Sequence, residues 1–282
     1  MHKYLKSSAL VLLYLSIYFG VQILVTIIFT VIKTIEFFAN HSADLSITND
    51  ALMAVQQDVL GNTTLIVIIS IFVSLPLYTL ASKITKESFI KICSFNRIRA
   101  TDSALSLITG LSLAVFIMLV LSYIDSIYPL DKIPGSYDNL MENIMGGNFY
   151  VTFLAVGILA PIMEEIIFRG FILNELRKIM PAAAAIIVQA VLFGVIHFNI
   201  VQSSYAFVTG VVLGIVFVAT KSLFAPIIIH LSFNTLNVIL SEITINQQLE
   251  QYSLIILVAS FLISLSSIYI LWVKQKNING IE

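Results

Sequence analysis

The chain has 282 residues, of which 59% are hydrophobic and only 11% charged, with a mean hydropathy of +0.99. An ordinary soluble domain carries about a quarter charged residues, so this composition is that of a polytopic membrane protein. The formal charge of −1 and the few basic residues, which flank apolar stretches, offer nothing to nucleic acid; the single cysteine, Cys93, excludes an intramolecular disulfide or a cysteine metal cluster.

Spanning a bilayer takes roughly 17–25 apolar residues, and eight stretches qualify. They are predicted near 8–32, 62–81, 103–123, 149–173, 182–199, 205–220, 222–240 and 252–273. The fold class expected is therefore all-α, a polytopic bundle of about eight transmembrane helices, with its polar content concentrated in helices four to seven. The first stretch follows Lys3 and Lys6. Its apolar run exceeds the ~7–15 residues of a secretory core and lacks an Ala-x-Ala-like end, so it is predicted to be a retained anchor. Spans one to three carry almost no polar residues and suit a lipid-facing scaffold. The intervening segments 33–61 and 124–148 are long and polar, the second holding the turn signal Ile133-Pro-Gly-Ser136. A short amphipathic piece, Asn174 to Met180, is expected at the inner surface before Pro181 opens span five. No internal repeat suggests a transporter built from two halves. The organisation expected is a scaffold over 1–148, a core over 149–240 in which the polar content of the spans is concentrated, and a final span with its tail over 241–282.

Basic residues orient such a chain. Lys83, Lys86, Lys91, Arg97 and Arg99 follow span two, Arg177 and Lys178 span four, Lys221 span six, and Lys274 and Lys276 span eight. The alternate segments are mostly acidic, with Asp58, Asp125, Asp131, Glu142 and Glu242 among their residues. With eight spans both termini fall on the basic side, so cytoplasmic termini in a plasma membrane are expected.

Span four breaks the apolar rule at Pro161-Ile-Met-Glu-Glu-Ile-Ile-Phe-Arg169. A charge at bilayer depth costs at least ~2.5 kcal/mol on insertion scales, so three within six residues must face protein, water or one another. Glu165 and Arg169 are four apart and share a helix face. Glu164 is turned from Glu165 by about 100° and is left without that partner. The division expected is Glu165–Arg169 as support and Glu164 as the chemical group.

Two further constellations follow. Phe193-Gly-Val-Ile-His197 ends span five; His230-Leu-Ser-Phe-Asn234 puts an imidazole and an amide on one face of span seven, extended by Asn237 at i+7. These residue types suit hydrolysis. A carboxylate moved into low dielectric becomes a stronger base toward water. An imidazole can hold the same water, and a second imidazole with an amide N–H can donate to a forming oxyanion. Each residue also has a structural role open to it. Glu165–Arg169 suits a helix-to-helix strut, His197 a headgroup-level cap, and His230 with Asn234 interhelical hydrogen bonds worth ~0.6 kcal/mol on average. Phe193 suits packing beside His197, and Gly210-x-x-x-Gly214 close helix packing. His2 and His41 carry no assignment.

Glu-Glu-x-x-x-Arg, Phe-x-x-x-His and His-x-x-x-Asn, in that order on successive helices, resemble the CPBP family. These are the CAAX-prenyl-protease and bacteriocin-processing proteins, also called Abi, of intramembrane glutamic endopeptidases. The resemblance covers about 149–240 and implies that this stretch, helices four to seven, is the catalytic half. It implies that Glu164 activates water with His197, that His230 and Asn234 form an oxyanion hole, and that Glu165 and Arg169 are accessory. It implies no cofactor and no metal, and a peptide or a prenylated, membrane-bound protein as substrate.

The leading expectation is a metal-independent intramembrane endopeptidase whose cavity opens toward the inner face. A zinc hydrolase with two histidines and a carboxylate as ligands, a non-catalytic regulatory or bacteriocin-immunity scaffold, and a transporter are the alternatives. One depth does not fit. At 1.5 Å per residue, Glu164 and His230 fall at similar depth, whereas His197 falls near the outer surface. Either 199–205 is submerged in protein or the boundaries of spans five and six lie elsewhere.

Overall fold

A computed structural model of the chain describes residues 2–40, 49–133, 137–243 and 251–279. The Pro134-Gly-Ser136 part of the expected turn and His41 lie outside the described residues, among which there is no strand. Eleven helices carry the fold. They are α1 His2–Asn40, α2 Asn49–Gly61, α3 Thr63–Ser82, α4 Phe89–Cys93, α5 Ala100–Ile127, α6 Tyr137–Met145, α7 Phe149–Leu176, α8 Ala182–Val195, α9 Ile200–Thr220, α10 Phe224–Ser241 and α11 Ser253–Asn279. Seven of them (α1, α3, α5, α7, α9, α10, α11) are long and apolar enough to cross a membrane. The protein is a multi-pass membrane protein.

The expected span that falls short is the fifth, now α8, apolar but only 14 residues long. At 1.5 Å per residue it reaches roughly 21 Å, short of a ~30 Å hydrocarbon core. The chain therefore turns back at 196–199, and α9 starts at Ile200 rather than 205. Asn199 makes that turn: its Oδ1 accepts from the backbone N–H groups of Val201 and Gln202 at 3.1 Å, an N-cap. The two helices lie so close that a Cβ on Gly194 would sit 2.7 Å from the Ser203 carbonyl oxygen.

Residues 33–40 and 49–61 are helical rather than loop. α1 continues to Asn40, and α2 packs back on it through Lys33, whose ammonium pairs with Glu36 at 2.9 Å and Asp58 at 3.8 Å. Nor are the first spans mere lipid-facing scaffold. α5 meets α11 through Thr109–Ser267 and Ser112–Ser264 hydrogen bonds, both 2.8 Å. It meets α10 at Gly110, where a Cβ would lie 2.0 Å from Ser232 Oγ. Small and hydroxylic residues let apolar helices approach where no hydrophobic force between them is available in lipid.

The basic residues gather at one end of the bundle. There Ser7 donates to the buried Glu175 at 3.1 Å, and Asn174 donates to the Ile92 carbonyl at 2.8 Å. Ser222 donates to the Asn96 carbonyl, and Lys274 pairs with Asp102. The stretch from Asn174 to Met180 therefore begins as the packed last turn of α7, with Glu175 and Leu176 buried, rather than as a surface helix. Just above, the rings of Tyr14, Tyr78 and Phe89 pack on Phe171 at 4.7, 5.4 and 5.7 Å, and Tyr78 Oη donates to the Tyr14 carbonyl at 2.7 Å.

α7 is the irregular element. Over Phe153–Leu159 and again over Ile166–Leu173 it is a π-helix, with an α-helical turn, Ala160–Glu165, between. Such widened turns cluster at functional sites. Pro161 lacks an N–H, which leaves carbonyls of the preceding turn short of a helical donor. The Val156 and Gly157 carbonyls instead accept from Asn234 Nδ2 at 3.1 Å and Thr235 Oγ1 at 3.2 Å on α10.

Candidate active site

The α-helical turn between the two π-helical runs presents both glutamates. Glu165 is fully buried, as is Arg169, and Arg169 Nη1 donates to Glu165 Oε1 at 2.7 Å. The guanidinium lies 4.6 Å from the centre of the Phe193 ring, and its Nη2 donates to the Gly210 carbonyl at 3.2 Å. That carbonyl also takes Nε2 of the buried Gln189 at 2.8 Å. Gly210 is where α9 meets α8: a Cβ there would stand 3.2 Å from Ala190. Glycine at this position allows the approach that delivers its carbonyl to both donors.

Glu164, one residue earlier, faces a cavity of about 850 Å³. His197, His230, Asn234 and Phe193 lie on the same wall, together with Asn237. Glu165 and Arg169 do not. His230 joins the two carboxylates: its Nδ1 is 2.8 Å from Glu165 Oε1 and its Nε2 is 3.6 Å from Glu164 Oε2. With Glu165 paired to Arg169, Nδ1–H donates to Glu165, and Nε2 is turned toward Glu164. His197 is fixed differently. Its Nδ1 is 2.8 Å from the Phe193 carbonyl; a carbonyl only accepts, so the proton sits on Nδ1 and Nε2 keeps its lone pair. Phe193 stands edge-on to both imidazoles, at 5.2 Å from His197 and 5.8 Å from His230. The short α8 removes the depth conflict, because it ends His197's helix inside the protein.

Residues without a role from sequence also line the cavity. Tyr18 and Gln22 come from α1, and Gln202 and Tyr205 from α9. The i, i+4 pair Tyr18 and Gln22 in an otherwise apolar helix was a readable sign, as was Gln189 in span five. Among the described residues no three His, Cys, Asp or Glu side chains are grouped to hold a metal ion.

The lining of the cavity extends away from the basic end, whereas a mouth on the inner face was expected. It reaches Thr63 and Thr64 at the start of α3, α6, and Ser241 at the end of α10, all at the end that carries the acidic segments. The Tyr14–Tyr78–Phe89–Phe171 cluster and Phe168 fill the space below the glutamates.

Residues 146–236 match the family profile described as "Type II CAAX prenyl endopeptidase Rce1-like". The matched segment contains all three motifs. Over that third of the chain the protein is similar to the type II CAAX prenyl endopeptidases. The "Putative membrane peptidase YdiL" of Bacillus subtilis (strain 168) is 32% identical over 96 residues, which is 34% of this chain and 39% of that protein. The chain thus spans about two-fifths of the length of the curated relative it matches. No solved structure gives a significant match. The matched segment begins after α6 and ends within α10, so α3 and α6, which also line the cavity, lie outside it.

Proposed function

We propose that this protein is a metal-independent intramembrane glutamic endopeptidase. It would be seated in the plasma membrane with its basic end and both termini in the cytoplasm. Glu164 is the general base: it takes a proton from a water, and the hydroxide attacks the scissile carbonyl of a peptide. His230 donates Nδ1–H to Glu165, which leaves Nε2 an acceptor rather than the oxyanion donor that the resemblance implies. Nε2 is offered to the same proton and supports the carboxylate as it changes charge. His197 accepts from the water through Nε2. The amide of Asn234 has one N–H bound to the Val156 carbonyl, which fixes its plane. The second N–H is the donor proposed for the oxyanion. The protonated Glu164 then returns its proton to the leaving amine.

A single observation carries this proposal: neighbouring carboxylates have opposite environments. Glu165 is sealed beside Arg169, while Glu164 reaches the cavity wall within 3.6 Å of an imidazole. General-base catalysis by one positioned group supplies about 10²–10⁴ in rate. The deciding experiment is comparative peptidomics of membranes holding the intact protein or Glu164→Gln, which keeps the side-chain volume. Loss of specific cleavage products with normal accumulation is expected; unchanged products would refute the proposal. A non-catalytic regulatory or immunity role has one observation in its favour, that His197, His230 and Asn234 each bond a structural partner. That role would be supported if Glu164→Gln, His197→Ala and His230→Ala all preserved the cellular phenotype.

A further inference from the structure

The two ends of the bundle differ in charge and in packing, and the two differences run together. Of the 15 basic residues only Lys33, Lys132 and Arg169 lie away from the basic end. Bias of this kind places that end in the cytoplasm. The lining of the cavity stops at Glu164, Phe193 and His230 toward that end and reaches Thr63, Thr64 and Ser241 at the other. Across the mouth lies α6, whose Tyr137, Leu140, Met141 and Ile144, at i, i+3, i+4 and i+7, all face the cavity. Glu142, on the other face of α6, is exposed. The helix thus turns an apolar stripe inward and a polar face outward.

We infer that the site takes its substrate from the extracytoplasmic face: the peptide bond brought to Glu164 belongs to a flexible, largely apolar segment exposed outside the cell, not to a cytosolic chain end. The inference deepens the endopeptidase proposal and rests on its orientation. Geometry limits the segment further. Glu164 lies 15 residues along α7 from the mouth, about 22 Å at helical rise. An extended peptide covers that depth with about seven residues. A folded domain cannot enter, so the cleaved region must be unstructured, with apolar side chains to match Tyr18, Met141, Ile144 and Phe233 on the walls.

The test is labelling of cysteines in the full chain in intact cells by a membrane-impermeant maleimide. The native chain is the background control: Cys93 is buried, and burial pushes its thiol up to about 12, so it carries little reactive thiolate near neutral pH. Ser241→Cys reports the rim, Asn237→Cys the wall one turn deeper, and Lys83→Cys the exposed basic end. Ser241→Cys and Asn237→Cys are expected to react in intact cells, and Lys83→Cys only in inverted membranes. Reaction of all three only in inverted membranes would overturn the inference by placing the cavity on the cytoplasmic side. Reaction of Lys83→Cys in intact cells, with the other two protected, would overturn the orientation itself. Reaction of Ser241→Cys without Asn237→Cys would overturn open access beneath α6. None of these results bears on Glu164 as base. Adding Glu164→Gln to each variant should leave labelling unchanged while removing cleavage, so the two proposals fail separately.

Discussion

The basic and acidic ends of this bundle are built from the same kinds of apolar helix, yet one is filled and the other hollow. At the basic end four aromatic rings converge on one another, and buried polar groups such as Ser7, Glu175 and Asn174 find partners. At the acidic end the helices splay around about 850 Å³. Glu165 and Arg169 belong to the filled part and Glu164 to the hollow one, although they are neighbours on one helix. Identical chemistry thus acquires different duties from packing alone. A sealed carboxylate can orient an imidazole; one open to a cavity can meet water.

The comparison breaks most directly at Arg169. Arg169→Ala leaves Glu165 buried without its cation, and removing one partner of a buried pair costs about 3–5 kcal/mol. Thermal unfolding in detergent should fall markedly, with activity lost alongside. Glu164→Gln should do the reverse, lowering turnover by about 10²–10⁴ with little change in the unfolding midpoint. If both substitutions moved both readouts alike, the division between filled and hollow parts would be wrong.

Smaller effects sharpen the contrast. Asn234→Ala removes the proposed oxyanion donor, and a loss of about 10²–10³ in rate is expected. It also strips the Val156 carbonyl of its partner, so a modest stability loss should accompany the slower cleavage. Gly110→Ala forces a Cβ to within 2.0 Å of Ser232 Oγ. Overpacking of this kind costs about 1–3 kcal/mol, and the readout is the unfolding midpoint. The smallest change is expected at Cys93. Because its thiol is pushed up to about 12, alkylation of the folded protein should stay slow through pH 9. It should quicken only at higher pH, as the thiolate forms, and it should be fast at neutral pH once the chain is denatured.

Most spans could be read from apolar length. The stretches near 62–81 and 222–240 correspond to Thr63–Ser82 and Phe224–Ser241. The hairpin between α8 and α9 could not, because its turn runs through Val195-Ile-His-Phe-Asn199, as apolar as the helices it joins. Val195 and Phe198 in this turn are exposed apolar side chains, and a turn at bilayer depth gains nothing from the polar residues that mark a turn in water. Its one local sign was Asn199, a good N-cap residue standing where a span was expected to end. The partner of His230 escaped for a related reason. Helical spacing put His230 and Asn234 on one face, but which carboxylate the imidazole meets depends on how α10 crosses α7.

What the sequence determined by itself is periodic and local: apolar lengths that make helices, and a spacing of four that pairs Glu165 with Arg169. The three motifs that mark the family, and the charge bias between alternate segments, were also plain in it. The tertiary structure alone decided that His230 lies between the two glutamates and that α1 walls the cavity with Tyr18 and Gln22. It also decided that the hollow faces the acidic end. Those facts arise from tilts and close approaches between helices distant in the chain, set by glycines, π-helical turns and aromatic packing, which no repeat of 3.6 residues encodes.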